Sequence, residues 1–141
     1  MIGVILASHG DLVYGLKDTY NMVMGDLPEN VKIISLKKDS DAETFKKEFH
    51  GVISGFQDID GVMVLTDLEG GTPYNTACTY FFDPSFDLEV RVLTGVNFPM
   101  LVETIENMET KNIGQAAEII LNLTRDGIRQ AELINDEDED F

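Results

Sequence analysis

His9 stands where an apolar run stops, in Met1-Ile2-Gly3-Val4-Ile5-Leu6-Ala7-Ser8-His9-Gly10-Asp11. A neutral imidazole nitrogen is a good nucleophile near neutral pH, and a phosphoryl group placed on it stays reactive enough to be passed on. For one ring nitrogen to attack, the other must hold the proton. A carboxylate that accepts this N–H fixes the tautomer and stabilises the positive charge that develops on the ring. Asp67 is placed for that role, because a second apolar run, Gly61-Val62-Met63-Val64-Leu65-Thr66, ends at Asp67-Leu68-Glu69-Gly70-Gly71-Thr72-Pro73. An arriving phosphate also needs hydrogen-bond donors without crowding side chains. Gly70 and Gly71 offer backbone N–H groups at a helix start, where a phosphate is readily held. Thr72 is expected to cap that helix and to lend its hydroxyl, with Pro73 at the first helical position.

Taken singly, each of these residues has an ordinary reading as a loop histidine, a turn carboxylate, a cap or a tight glycine turn. Their conjunction at the ends of two strands carries the argument: if those strands are parallel neighbours, imidazole, carboxylate and helix start share one crevice. Asp11, Glu69 and Thr66 fall near the same mouth, where carboxylates are as readily solvated rim residues as participants. A metal site is not expected, because His9 has no second nitrogen or thiolate ligand nearby. No cofactor is implied. His50, in a lysine-flanked helical stretch, reads as an exposed face residue, Cys78 as a small core residue, and Tyr80, Phe81 and Phe82 as a helix end packed on the core.

The elements that must position these groups follow from apolar periodicity. Strands are expected near residues 2–7, 31–36, 61–66 and 88–94, alternating with helices near 12–25, 41–55 and 73–81. Such alternation predicts an α/β fold with an open, mostly parallel sheet covered by helices on both faces. Gly25 and Pro28 follow the first helix, Ser40 or Asp41 can cap the second, and Gly55 closes it. Past the fourth strand, Asn97 can cap a helix with Pro99 in its first turn, and a last helix near 112–128 has Ile113, Ala116, Ala117, Ile120 and Leu121 on one face. Ala131-Glu132-Leu133-Ile134 is a short strand candidate. The run Asp136–Asp140 cannot pack its like charges and reads as disordered.

The totals narrow the function further. The chain has 141 residues, the size of one domain, and 26 acidic against 10 basic residues give a formal charge of −16. Such a charge repels phosphate backbones and anionic lipid surfaces, so no nucleic-acid partner is expected. One cysteine excludes an internal disulfide, no apolar stretch is long enough to span a bilayer, and no lysine precedes Lys17 to form a basic leader. These features together predict a soluble cytoplasmic protein.

Three separated motifs carry a family resemblance: Ser8-His9-Gly10, Thr66-Asp67-Leu68-Glu69-Gly70-Gly71-Thr72-Pro73-Tyr74-Asn75, and Gly95-Val96-Asn97-Phe98-Pro99-Met100-Leu101. With them the chain resembles, over most of its length, the IIA component of the mannose family of the bacterial sugar phosphotransferase system (PTS). The resemblance implies that His9 is a phosphoryl carrier, charged by the phosphocarrier protein HPr and discharged onto a histidine of a IIB component, with Asp67 hydrogen-bonded to the ring. It implies contact with the membrane only indirectly, through IIC and IID components. It also implies a C-terminal antiparallel edge strand, matched here by Ala131–Ile134, exchanged between the subunits of a homodimer. Residues 1–135 would then be a single IIA-type phosphotransfer domain and 136–141 an acidic disordered tail.

One departure is Glu69, where the best-known mannose member carries a bulky aromatic; a negative charge there alters the docking surface. Two other readings stand beside transport. In a receiver-type module Asp67 itself would be phosphorylated, with Thr94 after the fourth strand, although the acidic pair and the lysine that receivers require are absent. In a regulatory module the phosphohistidine would serve as a signal.

Overall fold

The computed structural model describes residues 1–134, so the expected boundary at 135 and the acidic tail 136–141 lie outside the described residues. Four strands and five helices alternate: β1 (Gly3–His9), α1 (Leu12–Val23), β2 (Val31–Leu36), α2 (Ala42–Ser54), β3 (Gly61–Thr66), α3 (Thr72–Phe81), β4 (Glu89–Leu93), α4 (Phe98–Glu106) and α5 (Ile113–Asp126). The sheet is all parallel in the order β2-β1-β3-β4. β3 and β1 are nearly continuous runs of buried residues, the pattern of strands covered on both faces.

Side chains alternate across the sheet and divide the core in two. Val4, Leu6, Met63 and Leu65 pack with α1, α4 and α5 on one face. Ile5, Ala7, Val62 and Val64 pack with α2 and α3 on the other, around Phe45, Phe49 and Ile53. Phe49, Ile53 and Leu65 are almost wholly buried, each such side chain contributing on the order of 2 kcal/mol relative to exposure.

Helix starts follow the expected chemistry at three places. Asp41 accepts a 2.8 Å bond from the Thr44 N–H and Asn97 a 2.9 Å bond from the Met100 N–H, while Asn112 accepts from the Gln115 N–H at 3.0 Å. The bond from Thr44 holds the Asp41 carboxyl below its ordinary range.

The chain order places the crevice. From β1 the chain leaves to α1 on one face, and from the adjacent β3 it leaves to α3 on the opposite face. The order therefore reverses between β1 and β3, and loops splay apart beyond their C-terminal ends, where open α/β sheets hold their ligands.

Several expectations need correction. β1 runs two residues further than expected, through Ser8↔Ser35 and His9↔Leu36, so His9 is the last residue of the strand. Apart from these corrections, Ala131–Ile134, expected to pair with a second subunit, makes no strand with its own chain among the described residues; Leu133 is fully exposed and Ile134 largely so. A strand exists only through the bonds of a partner edge, and none of the four strands supplies one to this segment. Tyr80 packs between Phe49 and Phe86, but Phe81 and Phe82 face outward at the end of α3, their rings edge to face at 4.9 Å.

Candidate functional site

The ends of β1 and β3 bring His9 and Asp67 together across 58 residues of sequence. Their strands pair as neighbours up to Ala7↔Thr66, so the next residues lie side by side. One carboxylate oxygen, Asp67 Oδ2, receives the His9 backbone N–H at 3.0 Å and sits 2.9 Å from the imidazole Nδ1. Both bonds come from a single residue to a single atom, so the ring is tied at its root and at its Nδ1 edge. A carboxylate can only accept, which places the proton on Nδ1 and leaves the Nε2 lone pair free. The His9 side chain is 42% exposed and that of Asp67 15%; the other oxygen, Oδ1, is buried and has no partner among the described residues.

The opposite edge of the ring lies against Gly71. A Cβ built on Gly71 would stand 2.6 Å from His9 Cε1 and 3.2 Å from Nε2, closer than real carbon contacts allow. The glycine is thus required by the imidazole itself, while Gly71 keeps an ordinary extended backbone, φ −77° and ψ 166°. Gly70 before it does adopt a left-handed conformation, φ +84°.

The start of α3 differs by one residue from the expected one. Asn75 N–H donates to the Gly71 carbonyl at 2.8 Å, the first bond of the helix, so Gly71 rather than Thr72 is the N-cap. Thr72 makes no side-chain cap bond and lies in the first turn beside Pro73, its hydroxyl unspent. The Gly71 N–H closes the preceding turn on the Leu68 carbonyl at 3.1 Å. Among the described residues, the Gly70, Thr72 and Tyr74 N–H groups have no protein acceptor, so the free donors at this helix start are theirs. The Asn75 amide clamps the turn by donating to the Gly70 carbonyl at 2.9 Å.

Two supports went unread in the sequence. Ser8, wholly buried, accepts the Val13 N–H at 3.2 Å and so anchors the start of α1 where Asp11 makes no side-chain cap bond. Thr66, expected near the mouth, is buried and donates to the Leu93 carbonyl at 3.1 Å, locking β3 to β4 under the site. A Ser or Thr one residue before a strand's chemical group is the signal that could have found both. Asp11 and Glu69 are exposed rim residues.

The other residues singled out in the sequence lie apart from this mouth. His50 is exposed on α2, its Nδ1 2.8 Å from the Tyr80 hydroxyl, and burial pushes the Tyr80 phenol above its ordinary range. Cys78 is half-buried rather than a core residue; its hydrogen bond with the Tyr74 hydroxyl raises that phenol. Among the described residues no group of three or more His, Cys, Asp or Glu side chains could hold a metal ion, and no helix is long and apolar enough to cross a membrane.

Residues 3–121 match the family described as PTS system fructose IIA component. The chain belongs to the mannose family of PTS IIA components. It is 30% identical over 109 residues to a PTS system fructose-specific EIIA component of Bacillus subtilis, a match covering 77% of this chain and 72% of the relative. It is 33% identical over 104 residues to the PTS system mannose-specific EIIAB component of Escherichia coli, covering 74% of this chain but only 31% of that longer protein. The fold of phosphotransferase system component EIIA from Streptococcus agalactiae superposes with a TM-score of 0.83, at 24% identity and over 92% of this chain and 97% of that one. The sequence resemblance to this family, drawn from three motifs, is therefore correct, as is the α/β architecture with a parallel sheet.

Proposed function

We propose that this IIA component is a cytoplasmic phosphoryl carrier that takes a phosphoryl group from phospho-HPr on His9 and passes it to a IIB component for sugar uptake and phosphorylation. The observation that carries the reading is the imidazole held between two fixed walls. Nδ1 is bound by an acceptor-only carboxylate, and the Cε1–Nε2 edge is set against Gly71 at the start of α3.

In the transfer, the Nε2 lone pair of His9 attacks phosphorus as the donor's own nitrogen–phosphorus bond breaks, its electron pair returning to the donor imidazole. Positive charge grows on the His9 ring and is stabilised by Asp67, while the free N–H groups of Gly70 and Thr72 and the Thr72 hydroxyl donate to the incoming oxygens, and Gly71, with no side chain, leaves them room. The step to IIB reverses these bonds onto the acceptor's histidine. A receiver reading is poorly supported, because Asp67 already spends Oδ2 on His9 and keeps Oδ1 buried. The test is incubation with phosphoenolpyruvate, enzyme I and HPr: one acid-labile, alkali-stable phosphoryl group is expected, absent from His9→Ala. An adduct removed by hydroxylamine, or one retained by His9→Ala, would overturn the reading.

We further infer a homodimer in which Ala131–Ile134 pairs antiparallel with β4 of a second subunit. Among the described residues β4 is bonded only to β3, and beside it runs a cleft of about 570 Å³ lined by Tyr74, Phe81, Phe82, Arg91 and Leu121. Exposed Leu133 and Ile134 supply apolar side chains for it. Deleting residues 136–141 should leave a dimer in light scattering, and deleting from Gln130 onward should give monomer or aggregate; a full-length monomer at micromolar concentration contradicts this.

A further inference from the structure

Four loops leave the C-terminal end of the sheet: Gly10–Asp11, Lys37–Asp41, Asp67–Gly71 and Thr94–Asn97. Between them they carry five carboxylates, Asp11, Asp39, Asp41, Asp67 and Glu69, and just two cations, Lys37 and Lys38. The groups around His9 are otherwise neutral donors or acids. A phosphoryl group of charge about −1.5 to −2 therefore approaches a mouth of net negative charge on a chain of formal charge −16.

The loop that carries the two lysines begins beside the carrier residue. Leu36, immediately before them, is the register partner of His9, and its carbonyl accepts the Gly10 N–H at 2.8 Å. Lys37 extends over the ring of Tyr14 on α1, the helix that follows His9, its Nζ 5.9 Å from the ring centroid. Both lysines are exposed, and among the described residues neither forms an ion pair. In the same loop Asp41 is committed to capping α2, which leaves Asp39 as the nearby carboxylate without a fixed donor.

We propose that Lys37 and Lys38 are steering residues for the phosphoryl group, giving the acidic mouth a cationic side from which a phosphate approaches. The proposal rests on the carrier reading for its consequence in catalysis, and on the loop geometry alone for its consequence in binding. A flexible four-carbon stem lets each ammonium follow the group without touching the reacting atoms, so the effect is on encounter.

The test compares Lys37→Gln/Lys38→Gln with the parent and with Lys37→Arg/Lys38→Arg. At about 0.02 M salt the second-order rate of transfer from phospho-HPr should fall about fivefold in the glutamine protein and be retained in the arginine protein. At about 1 M salt, where the screening length shrinks to roughly 3 Å, the difference should collapse. A second arm needs no transfer: inorganic phosphate is titrated at low salt while the Gly71 and Thr72 amide resonances are followed, and the glutamine protein should bind about threefold more weakly. If His9 accepts no phosphoryl group, the carrier reading fails while the phosphate arm still decides the lysines. Equal phosphate affinity in parent and glutamine proteins, or a rate deficit that persists at high salt, overturns the proposal.

Discussion

The chain has two histidines, and each has its Nδ1 within hydrogen-bond distance of one oxygen, 2.9 Å at His9 and 2.8 Å at His50. The pairings look alike and differ in what they can do. Asp67 only accepts, so it selects one tautomer of His9 and can balance a positive ring. The Tyr80 hydroxyl can donate or accept and is a neutral phenol, which burial moves further from ionisation, so it selects no tautomer and balances no charge. The surroundings differ as well. His9 ends a buried strand beside a glycine and the free N–H groups of α3, whereas His50 lies on the outer face of α2, stacked on Tyr80 at 6.2 Å. A carrier histidine is thus defined less by the imidazole than by an acceptor-only partner on one side and backbone donors on the other.

The strongest way to break this comparison is Gly71→Ala. The backbone at Gly71 tolerates alanine, but the new methyl would stand 2.6 Å from His9 Cε1, so the ring must move while the fold remains. A displacement near 1 Å is expected to slow transfer from phospho-HPr by about a hundredfold, measured by rapid quench, with an unchanged circular-dichroism melt. An alanine protein that transfers at the parent rate would show that Gly71 does not position the ring.

Asp67→Asn sharpens the electrostatic half of the argument. An amide can meet the ring but brings no charge and can present its N–H₂ to Nδ1, favouring the other tautomer. Transfer should slow at least tenfold, about 1.4 kcal/mol in the barrier. Parent-like stopped-flow rates in a folded protein would reduce Asp67 to a turn residue.

Effects on the scaffold should be smaller and separate from transfer. Asn97→Ala removes the cap bond to Met100 and should cost about 1 kcal/mol, lowering the melting temperature by roughly 3 °C while the transfer rate holds. His50→Gln is the control on the other side of the comparison. Its rate of phosphoryl transfer should stay within about twofold of the parent, since an exposed helix-face residue away from the site contributes little. A larger loss would mean that the second histidine takes part.

Much of this arrangement could be read from the chain because it is written in local patterns. β2 and β3 fall where β-branched runs predict them, and Asp41 and Asn97 cap the helices they precede. The His9–Asp67 pair followed from two strands ending alike and lying parallel. Contacts made only in three dimensions were not legible. Nothing local tells that Gly71 packs against an imidazole 62 residues away, nor that Phe81 and Phe82 turn outward beyond the buried part of α3. Thr72 and Gly71 are neighbours equally able to start a helix, and the Asn75 bond to the Gly71 carbonyl decides between them. Ala131–Ile134 is short and mixed in character, and its sequence alone does not say whether any sheet edge receives it.

The most direct measurement is the nitrogen that carries phosphate. Protein labelled with ¹⁵N in its imidazoles, charged through phosphoenolpyruvate, enzyme I and HPr, should show by ¹H–¹⁵N and ³¹P correlation a single phosphoramidate on Nε2 of His9. Its Nδ1–H should remain bonded to Asp67, and His50 should be unaltered. Phosphate on Nδ1 of His9, on His50 or on an aspartate would contradict the account.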